Sequence, residues 1–420
     1  MNCKKSVVSV AVFLIFGAAI VAGCGGSIPQ TVSGETGTLR MSFASPTEDR
    51  YIPPATKSFK IMVQPEGNLT TIQASAWVNG SGETVLSNIP AGPYDVRVWA
   101  YNGMGATGNV IAWGICQVMI LGGRDNEAHV NLKSDRLVFT SWRDGGNRPV
   151  IYRATPDGFY TSRVTSADGF SGWPAPSPDG RKIAFGSGIA SSTQIRIYDC
   201  ATSSITLFSD LVGGDYDPEF SPDSNTVVWV NSNAGTYTLR KKNLDGSGSG
   251  SYSFGTSTIG DPTFSPDGTR IAVHMYDGVD WEIAIVQSDF SGSHWLATND
   301  SISEMHPCWS QEDDHVIYCS ASDANGHLQV AYLNADFYPG NTATPYLLTH
   351  EQRDHKYVTA ASPDGRELAY TGVGENGEYA DIYYLNVDSG ISTRVTYNSA
   401  WDGDAKFLRP TTGSTTVVVD

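Results

Sequence analysis

DPTFSPDGTRIAV, residues 261–273, decides the fold, because four other stretches of the chain repeat its pattern. The four are WPAPSPDGRKIAF (173–185), DPEFSPDSNTVVW (217–229), HPCWSQEDDHVIY (306–318) and VTAASPDGRELAY (358–370). The central serines are Ser177, Ser221, Ser265, Ser310 and Ser362, so successive copies lie 44, 44, 45 and 52 residues apart. A period of this length is typical of a solenoid or a propeller.

Within one copy, the SPDG turn joins two short strands. The proline sets φ for the second position of a type I turn, aspartate suits the third position, and glycine takes the positive φ that follows. The apolar, β-branched or aromatic residues on either side are too few for helices and predict strands. Two further strand-like runs complete each unit, for example IRIYD (195–199) and SITLFS (204–209). Four strands in about 44 residues predict a propeller blade.

The two ends of the repeat region contain parts of one further unit. Three strand-like runs that begin with LVFTS (137–141) lack a first strand, and WDGDAKFLRP (401–410) supplies one. Pairing between them closes a ring of six blades and removes two exposed edges. The terminal run TTVVVD (415–420) is a candidate second strand, which leaves a seven-bladed ring as the alternative.

The unit xxPxFSPDGxxIAF, followed by an IY run and a terminal LT, resembles the TolB-like propeller repeat. The resemblance extends over residues 136–410 and implies the propeller fold. Propellers of this kind serve as periplasmic binding proteins, as domains of peptidases and as sugar-acid lyases, so the resemblance leaves the function open.

The start of the chain predicts a leader and a tether. Two lysines precede an apolar run (7–21) that is too short to cross a bilayer and ends in small residues, as a secretory signal does. The tetrapeptide VAGC (21–24) resembles a bacterial lipobox, which implies that residues 1–23 are removed and that Cys24 carries the lipid anchor. Residues 24–37 are rich in Ser, Gly and Thr and predict a flexible tether.

Residues 38–134 predict a β-sandwich, because seven strand-like runs separated by turn signals occur there, from TLRMSF (38–43) to AHVNL (128–132). The segment around IPAGPYDVRVWAYN (89–102) resembles bacterial immunoglobulin-like or carboxypeptidase-regulatory-like sandwiches, which space or present other domains. The fold class is therefore all-β, an N-terminal β-sandwich followed by a propeller that occupies residues 135–420.

The long strand of the predicted sandwich alternates strictly. Tyr94, Val96, Val98 and Ala100 fall on one face, and Asp95, Arg97 and Trp99 fall on the other. We expect the first set in the sandwich core and the second on a polar face, where Trp99 makes either an interdomain contact or a ligand contact.

Composition limits the function classes. The 420 residues are 40% hydrophobic and 11% aromatic, which is ample for buried cores. The net charge is −17 at pH 7, and removal of a leader with two lysines would lower it by two more. A nucleic-acid partner is disfavoured by that sign.

Four cysteines remain besides Cys3 and Cys24, too few for a disulfide framework, and we expect them as buried free thiols. They are Cys116, Cys200, Cys308 and Cys319. If Trp309 pairs with Val316, Cys308 lies opposite Ile317.

The candidate binding residues stand at two positions that recur in each repeat unit. Four residues before each central serine, or at the same place in the split unit, stand Trp173, Asp217, Asp261, His306, Val358 and Asp404; two residues earlier stand Asp215, Glu304, Lys356 and Asp402. If these positions meet at one mouth of the channel, the binding candidates are Asp215, Asp217, Asp261, Glu304, His306, Asp402 and Asp404. Such a set could hold a divalent cation, or the Lys or Arg of a peptide. The alternative is that each Asp caps the start of its strand.

The sequence contains no phosphate loop, HExxH helix, CxxC pair or GxSxG elbow, and we predict no catalytic residue. The leading prediction is a lipid-anchored protein of the bacterial cell envelope, at the outer membrane, in the periplasm or on the cell surface, that binds an envelope protein or peptide. No cofactor is predicted apart from the cation alternative.

The competing prediction is a metal-dependent lyase or hydrolase acting on acidic oligosaccharides. The stretch HPCWSQEDDHVIYC (306–319) resembles oligogalacturonate lyases of propeller fold, which use a histidine-held Mn²⁺. That resemblance implies a metal-binding role for His306, His350 and His355.

Overall fold

The computed structural model describes most of residues 35–408. The gaps are 44–55, 66–70, 81, 102–103, 106–109, 129, 131–135, 145–147, 155–160, 167–168, 189–191, 210–211, 312, 335, 351–355, 364, 366, 374–379, 388–389 and 398. The leader, Cys24 and the run TTVVVD lie outside the described residues. Within the described part, no helix is long and apolar enough to cross a membrane.

The first seven strands form an N-terminal two-sheet unit. They are β1 Thr36–Phe43, β2 Ser58–Pro65, β3 Ala74–Asn79, β4 Gly82–Pro90, β5 Gly92–Tyr101, β6 Val110–Ile120 and β7 Asp125–Glu127. The sheet orders are β4-β1-β7 and β3-β2-β5-β6. The last strand lies three residues before the predicted AHVNL run, because the buried Asn126 side chain bonds to the backbone of Thr38 and Leu121 and fixes β7 parallel to β1.

One hydrophobic core lies between these two sheets. Strand alternation directs Tyr94, Val96, Val98 and Ala100 of β5 into it, where they pack with residues such as Ile61 of β2. This is the face on which the sequence placed them.

The opposite face of β5 is also buried, contrary to the expectation of a polar surface. Asp95, Arg97 and Trp99 are only 5%, 2% and 0% exposed. Trp99 belongs to an apolar cluster that includes Ile382 of the C-terminal part, and the Arg97 guanidinium hydrogen-bonds the hydroxyl of Tyr397. The face that looked polar is therefore the contact between the two parts of the chain.

Residues 136–408 of the described chain form six four-stranded sheets. Sheet I contains β8 Arg136–Ser141, β9 Val150–Ala154, β10 Thr161–Arg163 and β31 Asp402–Leu408; sheet II contains β11 Phe170–Pro176, β12 Lys182–Gly188, β13 Gln194–Asp199 and β14 Ile205–Leu207. Sheet III contains β15 Gly214–Phe220, β16 Thr226–Asn233, β17 Thr236–Asn243 and β18 Gly250–Ser253; sheet IV contains β19 Ile259–Phe264, β20 Arg270–Tyr276, β21 Trp281–Gln287 and β22 Trp295–Leu296. Sheet V contains β23 Glu304–Trp309, β24 Val316–Ser322, β25 Leu328–Asn334 and β26 Tyr346–Leu347; sheet VI contains β27 Lys356–Ala361, β28 Glu367–Gly372, β29 Asp381–Asn386 and β30 Ser392–Arg394.

The six sheets close into a ring. Their innermost strands contact one another in the order β31, β11, β15, β19, β23, β27 and back to β31. In sheet I the C-terminal strand β31 pairs antiparallel with β8, so that Leu408 lies opposite Arg136. A central channel therefore runs between the six innermost strands.

Each SPDG turn is held by its serine. Gly180 N donates to the Ser177 carbonyl at 2.8 Å, and Gly180 has φ +70°. The Ser177 hydroxyl donates to Asp179 Oδ1 at 2.6 Å and accepts from Lys182 N at 2.9 Å. Ser221 and Ser265 repeat this pattern. These hydroxyls are used in turn formation, which agrees with reading them as structural.

The register of the β23–β24 hairpin is one residue off the predicted one. Trp309 pairs with Ile317, and Cys308 with Tyr318. Ser310 N bonds to Val316 O across a five-residue loop, whereas the SPDG copies have four residues there. The four described cysteines are free; Cys308 and Cys319 are buried, but Cys116 and Cys200 are only half-buried.

Candidate functional site

A β-bulge near the start of each innermost strand builds the channel mouth. All six strands shift register by one residue there. In five strands the bulge residue has φ between +47° and +52°: Trp173, Asp217, Asp261, His306 and Asp404. Bulges re-aim side chains, and these five residues line one cavity together with Val358 of the sixth strand. The six register positions thus meet at one mouth; whether they bind a ligand remains a prediction.

The centre of the mouth is a carboxylate between two imidazoles. Asp261 Oδ2 lies 3.3 Å from His274 Nδ1 and 3.7 Å from His306 Nε2. Burial alone would raise the pKa of Asp261, but contact with His274 brings that pKa below its usual range, so Asp261 is ionised at pH 7. Burial lowers the pKa of His306 to about 4, so that its ring is neutral.

Two neighbouring carboxyl groups compete for protons. Burial, and then the charge of Asp261, raises the pKa of Asp404 to about 6. The same two causes raise the pKa of Asp217 well above its usual range. Like charges held close together in a partly dehydrated site disfavour full ionisation, and a cation that entered the mouth would relieve this repulsion.

Asp217 also has a structural partner. Its Oδ2 accepts the backbone N–H of Asp261 at 3.4 Å. In three other sheets, the N–H of the bulge residue or its equivalent donates to a hydroxyl of the preceding sheet. Trp173, Val358 and Asp404 donate in this way to Thr140, Ser320 and Thr371, respectively. Val230 stands at the corresponding place in β16 and cannot accept, so Asp217 replaces it. Asp217 therefore bonds the backbone of the next sheet rather than capping the start of its own strand, so the capping alternative stays a prediction.

The floor of the mouth carries an ion pair that sequence reasoning missed. Lys406 Nζ lies 3.3 Å from Glu219 Oε2, although β31 and β15 belong to sheets separated by sheet II. Burial would lower the pKa of Lys406, but Glu219, Cys308 and Asp261 raise it, so Lys406 stays charged. Both residues stand two positions after a bulge residue, Asp404 or Asp217. The alignment of the repeat units that identified the bulge residues, applied two residues later in each unit, would have identified Lys406 and Glu219.

Aromatic rings surround the carboxyl groups. Trp173, Tyr357 and Trp401 line the same cavity, which encloses about 100 Å³. Tyr357 packs edge-on against His306 with ring centroids 4.9 Å apart, and Trp173 packs against Tyr216 at 5.4 Å. Four carboxyl groups, one lysine and three aromatic rings form a site suited to a cationic group, which gains from both the charges and the ring faces. Trp173 stands at the repeated bulge position, but Tyr357 and Trp401 do not, so the repeat alone gave no signal for these two.

The residues two positions before the bulges do not line this cavity. Asp215, Glu304 and Asp402 are 0% exposed and lie between the sheets. Asp215 accepts hydrogen bonds from Trp229 Nε1 and the Asn231 amide, and Asp402 pairs with Arg143 at 2.8 Å. Lys356 is likewise buried. The expectation that these positions share the mouth was wrong, because a strand residue two places from a left-handed bulge no longer points to the same side.

The histidines of the lyase prediction are not gathered at the mouth. His306 lines the cavity, and His350 is exposed and not part of its lining. His355 lies outside the described residues. Among the residues that the structure describes, two groups of three side chains have metal-ligand spacing, Asp313 with Asp314 and His315, and Asp277 with Asp280 and Glu282. Neither group lines the mouth.

Residues 129–339, half of the chain, match the family model described as the TolB beta propeller domain. The chain belongs to this TolB propeller family. Among curated proteins, it is 30% identical over 137 residues to the uncharacterized protein Atu1656 of Agrobacterium fabrum. That match covers 30% of this chain and 47% of the relative, so the chain spans about half the length of the curated relative it matches.

Solved structures show the same architecture. TolB from Acinetobacter baumannii superposes with a TM-score of 0.56 at 16% identity, covering 76% of this chain and 80% of that one. Kuenenia stuttgartiensis hydrazine synthase gives a TM-score of 0.53 at 13% identity, covering 65% of this chain and 46% of that one. At such identities the TolB propeller likeness establishes the fold, and the function has to be argued from the site.

Proposed function

We propose that this chain is a binding protein of the bacterial cell envelope whose channel mouth receives a cationic side chain, Lys or Arg, of a protein or peptide partner. The observation that carries the proposal is the group of Asp217, Asp261 and Asp404 beside Trp173 and Trp401 in one small cavity. We interpret the six sheets as the six blades of the propeller.

The charges at the mouth favour a positive ligand. Asp261 is ionised, and the raised pKa values of Asp217 and Asp404 mean that a cation binds there with release of protons. Lys406 is paired with Glu219, so the three aspartates of the mouth outnumber the cations that face them. An ammonium or guanidinium group can pair with the carboxylates and stack on an indole at the same time.

Short Lys- and Arg-containing peptides, compared with norleucine and citrulline analogues of equal length, test this proposal. Calorimetry and quenching of tryptophan fluorescence should show binding of the cationic peptides only. The double variant Asp261→Asn with Asp404→Asn should weaken binding at least tenfold, and Asp313→Asn, an exposed carboxylate on a hairpin at the other end of the ring, should not. Equal binding of cationic and neutral peptides would contradict the proposal.

We further propose that Cys24 anchors the protein to a membrane through its lipid, with residues 24–37 as a tether. The immunoglobulin-like sandwich assignment of the N-terminal two-sheet unit and the boundaries 1–23, 24–37, 38–134 and 135–420 are part of this proposal; β1 begins two residues before the sandwich boundary. Cys24→Ser should abolish labelling by a fatty-acid probe and move the protein to the soluble fraction. Membrane fractionation with continued labelling of that variant would refute the anchor.

We propose binding rather than catalysis, and the charge of the mouth supports this choice over the lyase alternative. A site with an excess of carboxyl groups repels uronate oligosaccharides, which are themselves polyanions. Incubation of the purified protein with Mn²⁺ and uronate oligomers is the direct check. Formation of unsaturated product, lost on chelation, would reverse the choice.

A further inference from the structure

A second group of carboxylates lies outside the mouth, at the seam between sheets IV and V. The hairpin that joins β20 to β21 contains Asp277 and Asp280, and Glu282 is the second residue of β21. One oxygen of each of these side chains lies within 4.8 Å of the other two. The charge of Asp300 acts on both Glu282 and Glu304, and the charges of Glu282 and Asp280 act on Glu304 across the seam. Three carboxyl groups therefore stand at metal-ligand spacing, and Asp300 and Glu304 are near enough to interact with them electrostatically.

Two members of this group are buried without adequate partners. Glu282 and Glu304 are both 0% exposed, and among the described residues none of their four carboxylate oxygens accepts a hydrogen bond of normal geometry. The Thr298 hydroxyl is the one neighbouring donor that favours their ionised forms. A single hydroxyl proton cannot serve two carboxylates, and an ionised carboxylate without donors is strongly disfavoured in the interior.

The equivalent places in sheets V and VI are satisfied. In sheet VI, Asp381 accepts from the Thr396 hydroxyl at 2.9 Å and pairs with Arg394. In sheet V the corresponding residue is the neutral Gln329, which accepts from Thr349 at 2.8 Å. At the seam that starts at Glu282, by contrast, two acids are buried, and among the described residues neither forms an ion pair with an arginine or a lysine. The buried carboxyl groups of Glu282 and Glu304 therefore need a group that neutralises their charge.

The protonation behaviour agrees with this requirement. Burial, followed by the charges of the neighbouring aspartates, raises the pKa of Glu282 to about 7. The same causes raise the pKa of Glu304 to about 9.

We propose that Asp277, Asp280 and Glu282 bind a divalent cation, with Ca²⁺ as the ion that fits, and that Glu304 contributes charge from the far side of the seam. All donors are carboxylate oxygens, which are the ligands of hard cations, and Ca²⁺ accepts irregular sets of them. The hairpin is already organised, because Asp277 Oδ1 accepts the N–H groups of Val279 at 2.7 Å and Asp280 at 3.1 Å.

The ion would connect the hairpin to the channel mouth. Antiparallel order places the β20–β21 hairpin at the same end of the ring as the bulges, since β20 leads away from the SPDG turn. His274 of β20 packs edge-on against Trp281 at 4.9 Å, and His306 follows Glu304 by two residues. Cation binding therefore fixes both strands that supply the imidazoles of the mouth, without depending on peptide binding there.

The full chain, freed of metal by a chelator, is the material for the test. Ca²⁺ titration should raise the melting temperature, because a ligand that binds only the folded state stabilises it. Tb³⁺ used as a Ca²⁺ substitute should show luminescence sensitised by Trp281, which Ca²⁺ displaces. Trp281→Phe should lose most of that emission and keep the Ca²⁺-dependent rise in melting temperature.

Three variants separate the site from general effects of charge. Glu282→Gln should melt higher than the wild type without metal and gain nothing from Ca²⁺; Asp280→Asn, on the surface of the hairpin, should fold normally and lose at least tenfold in Ca²⁺ affinity. The matched control is Asp313→Asn, an exposed carboxylate on another hairpin, which should respond to Ca²⁺ as the wild type does.

Several results would overturn the proposal. A wild-type protein whose melting temperature ignores Ca²⁺, Mg²⁺ and Mn²⁺ would show that Glu282 and Glu304 hold protons instead. Retention of the Ca²⁺ response in both Glu282→Gln and Asp280→Asn, or unchanged Tb³⁺ emission in Trp281→Phe, would place any bound ion elsewhere.

Discussion

At the scale of single residues, the mouth shows how one repeated position acquires different chemistry. The bulge places each side chain in the channel, and the residue type alone then decides between an aromatic ring, a carboxylate and an imidazole. The repeat predicted this convergence for Asp217, Asp261 and His306, because identical blades present identical positions. It could not predict which neighbour each one meets, since His274 and Lys406 come from other strands.

The first prediction concerns the pH dependence caused by Asp404. Its pKa in the folded protein is raised to about 6, so its protonation favours the folded state; this stability is fully present below the unfolded pKa and is lost as pH rises through about 6. Asp404→Asn should raise stability by about 1–2 kcal/mol at pH 7.5, or about 2–6 °C in melting temperature, and by much less at pH 4.5. Thermal melts across this range, with Asp313→Asn as the control, check it; an equal effect at both pH values would contradict the assignment.

A second prediction tests the serine of the SPDG turn. Ser265 is fully buried, donates to Asp267 Oδ1 at 2.5 Å and accepts from Arg270 N at 3.0 Å. Ser265→Ala should cost about 1–3 kcal/mol, because the Arg270 N–H loses its partner. The exposed Ser249→Ala is the control and should be neutral in chemical denaturation. Equal stability of the two variants would mean that the turn does not need the hydroxyl.

At the scale of elements, strand positions were predictable and their exact pairing was not. The run WEIAIVQ (281–287) coincides with β21, and LQVAYLN (328–334) with β25. The predicted register of the β23–β24 hairpin was wrong by one residue. The loop has one residue more than the loops of the SPDG copies, and no local sequence pattern shows which loop length forms. The bulges were also not foreseen, although the Asp-Pro and His-Pro pairs mark their positions.

The third prediction concerns the close packing of β12 on the ring of Trp173 at the channel mouth. A Cβ on Gly186 would lie 2.7 Å from the ring of Trp173 and 3.3 Å from Thr193 Cγ2. Gly186→Ala should therefore destabilise the protein by about 1–3 kcal/mol and shift the Trp173 fluorescence as the ring moves. Gly169→Ala, whose Cβ would meet nothing within 4 Å, is the control. A stable Gly186→Ala with unchanged fluorescence would contradict this packing.

At the scale of the whole molecule, the contact between the two parts of the chain was predicted only as one alternative. Alternation in β5 placed Asp95, Arg97 and Trp99 on a polar face and left open whether Trp99 makes an interdomain contact or a ligand contact, because an alternating strand looks the same whether its second face meets water or another domain. Only the three-dimensional arrangement shows that the propeller covers this face.

The fourth prediction follows from that contact. Trp99 is 0% exposed and joins both parts, so Trp99→Ala should cost about 3–5 kcal/mol. Calorimetry should show one unfolding transition in the wild type and two in the variant, because the parts lose their coupling. Trp77→Ala, at a tryptophan that is 41% exposed, should keep the single transition. A single transition in Trp99→Ala would show that the contact does not couple the two parts.

The pairing of β31 with β8 also sets the order of events when the protein is made. The strand partners are separated by more than 250 positions, so a nascent chain can assemble sheets II to VI while the ring stays open. Closure must wait until residue 408 has left the ribosome and, for an exported chain, the translocation channel. Of the described strands, β31 is thus the last to emerge, and it completes sheet I by pairing with β8. A chain truncated before β31 is left with an unpaired β8 edge that invites aggregation.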